Sequence, residues 1–141
     1  RRYDLVGTCF GGLYLLSERV IRVFREGYFT GWKTFPVAIL SRDGEPVGGY
    51  QGFAVSGRCG PIDWSKGVPV EIEPLIKGGR PSKAWRGLYF DPHSWDGSDV
   101  FMPEGALYTI VSEAITHKLM EEGVTNIEFT PLTEFDRTWK M

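Results

Sequence analysis

The feature that most limits what this chain can fold into is a short unit met twice: a strand-like run, a Ser-Glu pair, an amphipathic helix and a Gly stop. The first copy runs from Leu13-Tyr14-Leu15-Leu16 through Ser17-Glu18 to Gly27, and continues into Thr30 to Val37. The second runs from Tyr108-Thr109-Ile110-Val111 through Ser112-Glu113 to Gly123, and continues into Val124 to Leu132. Ser at the helix start can accept from a free first-turn amide, and the Glu that follows suits the positive end of the helix dipole. Val20, Ile21 and Phe24 share one face, opposite Arg19, Arg22, Arg25 and Glu26, and Ile115 and Leu119 share one face of the second helix. Glycine can take the left-handed turn that ends a helix. The spacing predicts helices over about 17–27 and 112–123, with Ile127 and Phe129 on the buried side of a closing strand. The matched order reads either as an internal strand–helix–strand duplication or as convergence on common helix grammar. Ser112 follows Ser17 by 95 residues, too long a period for a solenoid.

Between the copies the signals are those of sheet. Pro36 to Leu40 and Val47 to Val55 flank an Asp43-Gly44 turn, which predicts a hairpin. Gly48, Gly49 and Gly52 in the returning strand point to a bulge or a close approach. Ser56 to Pro61 reads as a tight turn, Val68 to Ile76 and Trp85 to Phe90 as strands, Lys77 to Lys83 as a basic loop, and Asp91 to Glu104 as a polar, aromatic loop. No linker divides the chain, so the expectation is one α+β domain over 1–141, mainly antiparallel sheet with two helices. Its length suffices for a hydrophobic core without staples. The 18 glycines and 20 aromatic residues fit turns and sheet.

Charge and cysteine content exclude several classes. A net charge of −2 with no basic stripe argues against a general nucleic-acid binder. Cys9 and Cys59 do not make a disulfide scaffold. No apolar run reaches membrane-spanning length. Arg1-Arg2-Tyr3-Asp4 is followed by no apolar h-region, so the start does not read as a signal peptide, and a cytoplasmic protein is expected.

The densest polar cluster is Asp91-Pro92-His93-Ser94-Trp95-Asp96-Gly97-Ser98-Asp99. Asp96, Ser98 and Asp99 offer oxygen ligands to a hard cation, but the spacing is not that of an EF-hand. The favoured reading is an ordered loop whose Asp and Ser side chains bond nearby amides, anchored by Trp95 and Phe101, with Asp carboxylates left for a partner. Cys59 with His93 or His117 is a formal nucleophile–base pair that nothing in the sequence brings together. Paired Cys or His spacing for zinc is lacking, Gly11-Gly12 and Gly48-Gly49 are not phosphate loops, and neither Ser17 nor Ser112 sits in a nucleophile elbow. No metal or cofactor is expected. Trp32, Trp64, Trp85, Trp95 and Trp139 are scattered, and each reads first as a core or anchor residue, or as a hot spot where exposed.

Two stretches, Trp85-Arg86-Gly87-Leu88-Tyr89-Phe90-Asp91 through Ser94 to Phe101, and Ile110-Val111-Ser112-Glu113 through Gly123 to Phe129, resemble a family of bacterial immunity proteins of polymorphic toxin systems, first noted in a myxobacterial immunity protein. They cover under half the chain. The resemblance implies a non-enzymatic cytoplasmic protein that binds and neutralises one cognate toxin. A basic toxin would be met by Asp91, His93, Trp95, Asp96, Ser98, Asp99 and Glu104, through charge complementarity around an aromatic anchor. The competing readings are a small-ligand module with a glycine-lined cleft near Tyr50-Gln51-Gly52-Phe53, and a Cys/His enzyme.

Overall fold

In the computed structural model, which describes residues 3–137, the apolar runs of the N-terminal half build one antiparallel sheet. Strands β1 (Leu5–Gly7) and β2 (Leu13–Ser17) lead into helix α1 (Glu18–Glu26), followed by β3 (Trp32–Phe35). The hairpin β4 (Ile39–Leu40) and β5 (Pro46–Val47) turns at Asp43-Gly44 as its sequence predicts, and β6 (Tyr50–Val55) returns to give the sheet order β1-β2-β6-β3. Gly52 is a close approach, since a Cβ there would run into the Phe35 ring. Next come β7 (Gly57–Cys59), β8 (Val68–Ile72), β9 (Ser82–Arg86), β10 (Val100–Pro103) and β11 (Ile110–Val111). Helix α2 (Glu113–Glu121) and β12 (Asp136–Arg137) complete the order. A second sheet runs β11-β10-β7 and a third β12-β9-β8. The fold is α+β, with all strand pairs antiparallel except β7 with β10. Among the described residues no helix is long and apolar enough to cross a membrane. Trp139 and the Arg1-Arg2 start lie outside the described residues.

Strand β10 explains how the parts cohere. Its residues are buried on both faces: Val100 and Met102 point into a core cluster with Leu16, Val20, Ile21, Phe24, Phe53, Ile115 and Leu119, and Phe101 points into another with Cys59, Ile62, Leu88 and Ile110. A strand covered on both sides reads as a continuous apolar run, not as alternation. This is why Val100 to Pro103 belongs to a strand and not to the loop expected over 91–104. The five buried helix residues supply the first cluster, at about 1.5–3 kcal/mol each by area transferred from water. Phe24 adds edge-to-face contacts with Phe29, Trp32 and Phe53.

Several local expectations are corrected. Ser17 and Ser112 stand at the N-cap positions, but neither hydroxyl caps its helix. Ser17 Oγ donates to Asp4 Oδ1 at 2.7 Å, and Ser112 Oγ is buried with no hydrogen-bond partner among the described residues. Gly123 takes the left-handed conformation (φ 63°), whereas Gly27 stays right-handed and Tyr28 makes the left-handed turn instead (φ 54°). Ser56 to Pro61 is not only a turn, because Gly57–Cys59 pairs in parallel with β10. The strand expected at Trp85 to Phe90 lies earlier, at Ser82–Arg86, because Gly87 at φ 99° breaks it and Phe90 makes only an isolated bridge to Ile62. Residues 125–130 alternate in burial as a strand would, yet they join no ladder among the described residues. The second copy of the repeated unit therefore lacks the closing strand that β3 gives the first.

The two copies are tied by a buried carboxylate. Asp4 accepts from Ser17 Oγ, from Arg19 Nε and Nη2 at 2.8 and 2.7 Å, and from the amide and hydroxyl of Thr125 at 2.8 and 3.1 Å. Arg19 does not simply face water: its Nη1 and Nη2 also donate to the Glu122 and Gly123 carbonyls, at 2.7 and 3.0 Å, and so cap the end of α2. The Arg19 guanidinium and the donors from Ser17 and Thr125 hold the Asp4 carboxyl far below the usual carboxylate range.

Candidate interaction site

The loop from Asp91 to Asp99 is ordered by its own carboxylates. Asp91 Oδ1 accepts from the His93 amide at 3.0 Å and opens a 3-10 turn, Pro92–Ser94. Ser94 Oγ donates to the Asp91 carbonyl at 2.6 Å and accepts from the Gly60 amide at 2.9 Å. Asp96 accepts from the Arg58 amide at 2.9 Å and the Ser98 amide at 2.9 Å, and also from Ser98 Oγ. Its own amide donates to the Arg58 carbonyl at 3.1 Å, so the loop covers the open edge of β7. Asp99 Oδ2 accepts from the Thr30 amide and hydroxyl, at 2.9 and 3.3 Å. The donors from Ser98 and Arg58 hold the Asp96 carboxyl below its ordinary value.

Beneath the loop the backbone is packed without room for side chains. A Cβ on either Gly31 or Gly57 would run into the Val100 carbonyl and Ser98. These two glycines let β7, β10 and the end of α1's turn meet under the loop.

The expected site residues therefore separate into two groups. Asp96 is held by the Arg58 and Ser98 amides and the Ser98 hydroxyl, and Asp99 by Thr30 through Oδ2 alone, with its Oδ1 taking no hydrogen bond among the described residues. Asp91 likewise keeps one oxygen without a hydrogen bond among the described residues, and His93, Trp95 and Glu104 are exposed. Trp95 is 40% exposed. Its indole leans on buried Phe101, with centroids 5.4 Å apart, and its Nε1 donates to the Ser98 carbonyl at 3.0 Å. The ring is thus fixed and its polar atom satisfied, leaving an apolar face on the surface. Glu104, across β7, borders a shallow depression with Arg58, Pro103 and Leu107. Leu107 itself is 75% exposed, an apolar element that sequence reading passed over.

The alternative sites are differently placed. The Gly52 cleft is filled by Phe35, and only a shallow hollow bounded by Thr34, Val37 and Tyr50 lies beside it. Cys59 is buried, its thiol donates to the Gly60 carbonyl, and burial together with the Asp96 charge pushes its pKa up, the reverse of an activated thiolate. Cys9 is exposed, and His117 pairs with Glu113 at 3.6 Å on the outer face of α2. Among the described residues no group of three or more His, Cys, Asp and Glu side chains is gathered as a metal-ligand set. Trp32 stacks on Phe53 in the core, and Trp64 lies under the Arg137 guanidinium, whose carbon is 4.7 Å from the ring centroid. The chain matches no family model and no curated protein sequence.

Proposed function

We propose that this chain is a non-enzymatic immunity protein of the bacterial cytoplasm, which binds one cognate toxin and neutralises it by occupying the toxin's surface. The observation that carries the reading is Trp95: a half-exposed indole held rigid on Phe101 with its N–H already satisfied, set beside Asp91 and His93. An aromatic face fixed before binding loses little rotamer freedom on docking, which is the property of a hot spot. The Asp91 carboxylate near it suits a basic toxin surface and would act mainly on the rate of encounter. The resemblance of residues 85–101 and 110–129 to immunity proteins supports the same reading.

Co-expression with the toxin encoded beside its gene tests it. The proposal expects the host to survive, and the two proteins to co-purify as a complex. Survival with no complex, or a complex that leaves toxin activity intact, would count against it.

A further inference from the structure

Residues 126–130 have the burial alternation of a strand, with Ile127 and Phe129 packed on the first core cluster. Among the described residues, none of their backbone groups bonds to another backbone group. Facing them is β11, the edge strand of its sheet. In the register with β10, the Ser112 amide donates to the Asp99 carbonyl at 2.8 Å. Residue 111, next along, therefore turns its N–H and C=O away from β10, and so by alternation does Thr109. Two unpaired stretches of main chain thus border the same space. That space is a cavity of about 260 Å³ over Leu16, Phe24 and Leu119, and Thr109, Val111, Glu128 and Phe129 also line an outer hollow of about 490 Å³. Glu113 and Glu128 stand at the outer hollow, and no Lys, Arg or His lines either space.

Unpaired strand edges recruit further strands, because each main-chain donor and acceptor gains a partner that water otherwise supplies. A small molecule meets one or two such groups, whereas an extended chain meets them in series. We infer that this cleft receives an extended segment of the partner protein by strand addition between β11 and residues 126–130. The segment's alternate residues are apolar, toward Leu119 and Phe129, and basic, toward Glu113 and Glu128. The inference rests on the reading that this chain binds a protein, and adds a main-chain contact to the Trp95 face.

The test uses a capped Lys-Val-Lys-Val-Lys-Val-Lys peptide, its copy with N-methylated valines, and its Glu-for-Lys counterpart, each titrated into the full chain by fluorescence anisotropy and amide NMR. The inference expects the Lys peptide to bind, amide exchange to slow at Val111, Ile127 and Phe129, and the N-methylated copy to bind at least about tenfold more weakly. Glu113→Lys with Glu128→Lys, both at exposed positions, should reverse the preference toward the Glu peptide. Equal binding of the N-methylated copy, or shifts confined to other residues, overturns strand addition. Protection of the same amides by self-association without peptide overturns it too, since the occupant is then a second copy. Toxin neutralisation alongside any of these results leaves the proposed function standing and removes only the cleft.

Discussion

Replacing Asp4 by Ala removes the acceptor that joins β1, the start of α1 and the turn after α2. Its carboxylate receives five hydrogen bonds, and its side chain is only 9% exposed. Breaking a buried ion pair typically costs about 3–5 kcal/mol. Here Arg19 is 44% exposed and can hydrate once freed, which lowers the figure to about 2–4 kcal/mol. The Thr125 amide and Ser17 hydroxyl keep the loss from falling to the level of a surface pair. Over a chain of 141 residues, about 3 kcal/mol corresponds to a fall of about 10 °C in melting temperature. The pH dependence has a definite sign. The folded-state pKa is depressed below its ordinary value of 3.8, so the stabilisation is complete above that value and fades as pH falls below it. Urea unfolding followed by circular dichroism, for the wild type and Asp4→Ala between pH 7 and pH 2, should show a gap that closes toward the acid end. A double-mutant cycle with Arg19→Ala should show strong coupling. A loss under about 0.5 kcal/mol, or a gap that widens in acid, would mean that the Asp4 carboxylate does not hold these elements together.

Other outcomes follow from single contacts. In the native protein at pH 8 a disulfide reagent should titrate one thiol quickly, Cys9, and reach Cys59 only on unfolding, because the latter is buried with a raised pKa. Gly57→Ala should cost about 2 kcal/mol or more, since its Cβ meets the Val100 carbonyl and Ser98, and its NMR spectrum should show the largest shifts across 94–100.

What the sequence made legible was local. The Ser-Glu to Gly spans placed both helices within a residue or two, and Val20, Ile21, Phe24, Ile115 and Leu119 are the buried positions their periodicity indicates. The Asp43-Gly44 hairpin and the self-bonded Asp91–Asp99 loop were also readable, because Asp and Gly fix turns through their own chemistry. What failed depended on partners distant in the chain. Ser17 abandons its helix for Asp4, which no local rule indicates. Arg19 looks like a solvent-facing residue until Glu122 and Gly123 arrive beside it. Val100 to Pro103 reads in sequence as part of a loop because a strand buried on both faces carries no alternation. At the candidate site, the acidic composition was visible, but which carboxylates remain for a partner was not. Asp96 is held by Arg58 and one oxygen of Asp99 by Thr30, contacts made across the fold.

The proposed docking of Trp95 onto a toxin rests on its fixed, exposed indole face. The affinity of the co-purified toxin is measured for Trp95→Ala against the wild type, with Leu75→Ala, a fully exposed apolar truncation elsewhere, as control and the melting temperature of each variant recorded. A loss of about 30-fold or more is expected for Trp95→Ala at an unchanged fold, and no change for Leu75→Ala. Equal affinity for all three proteins would contradict it.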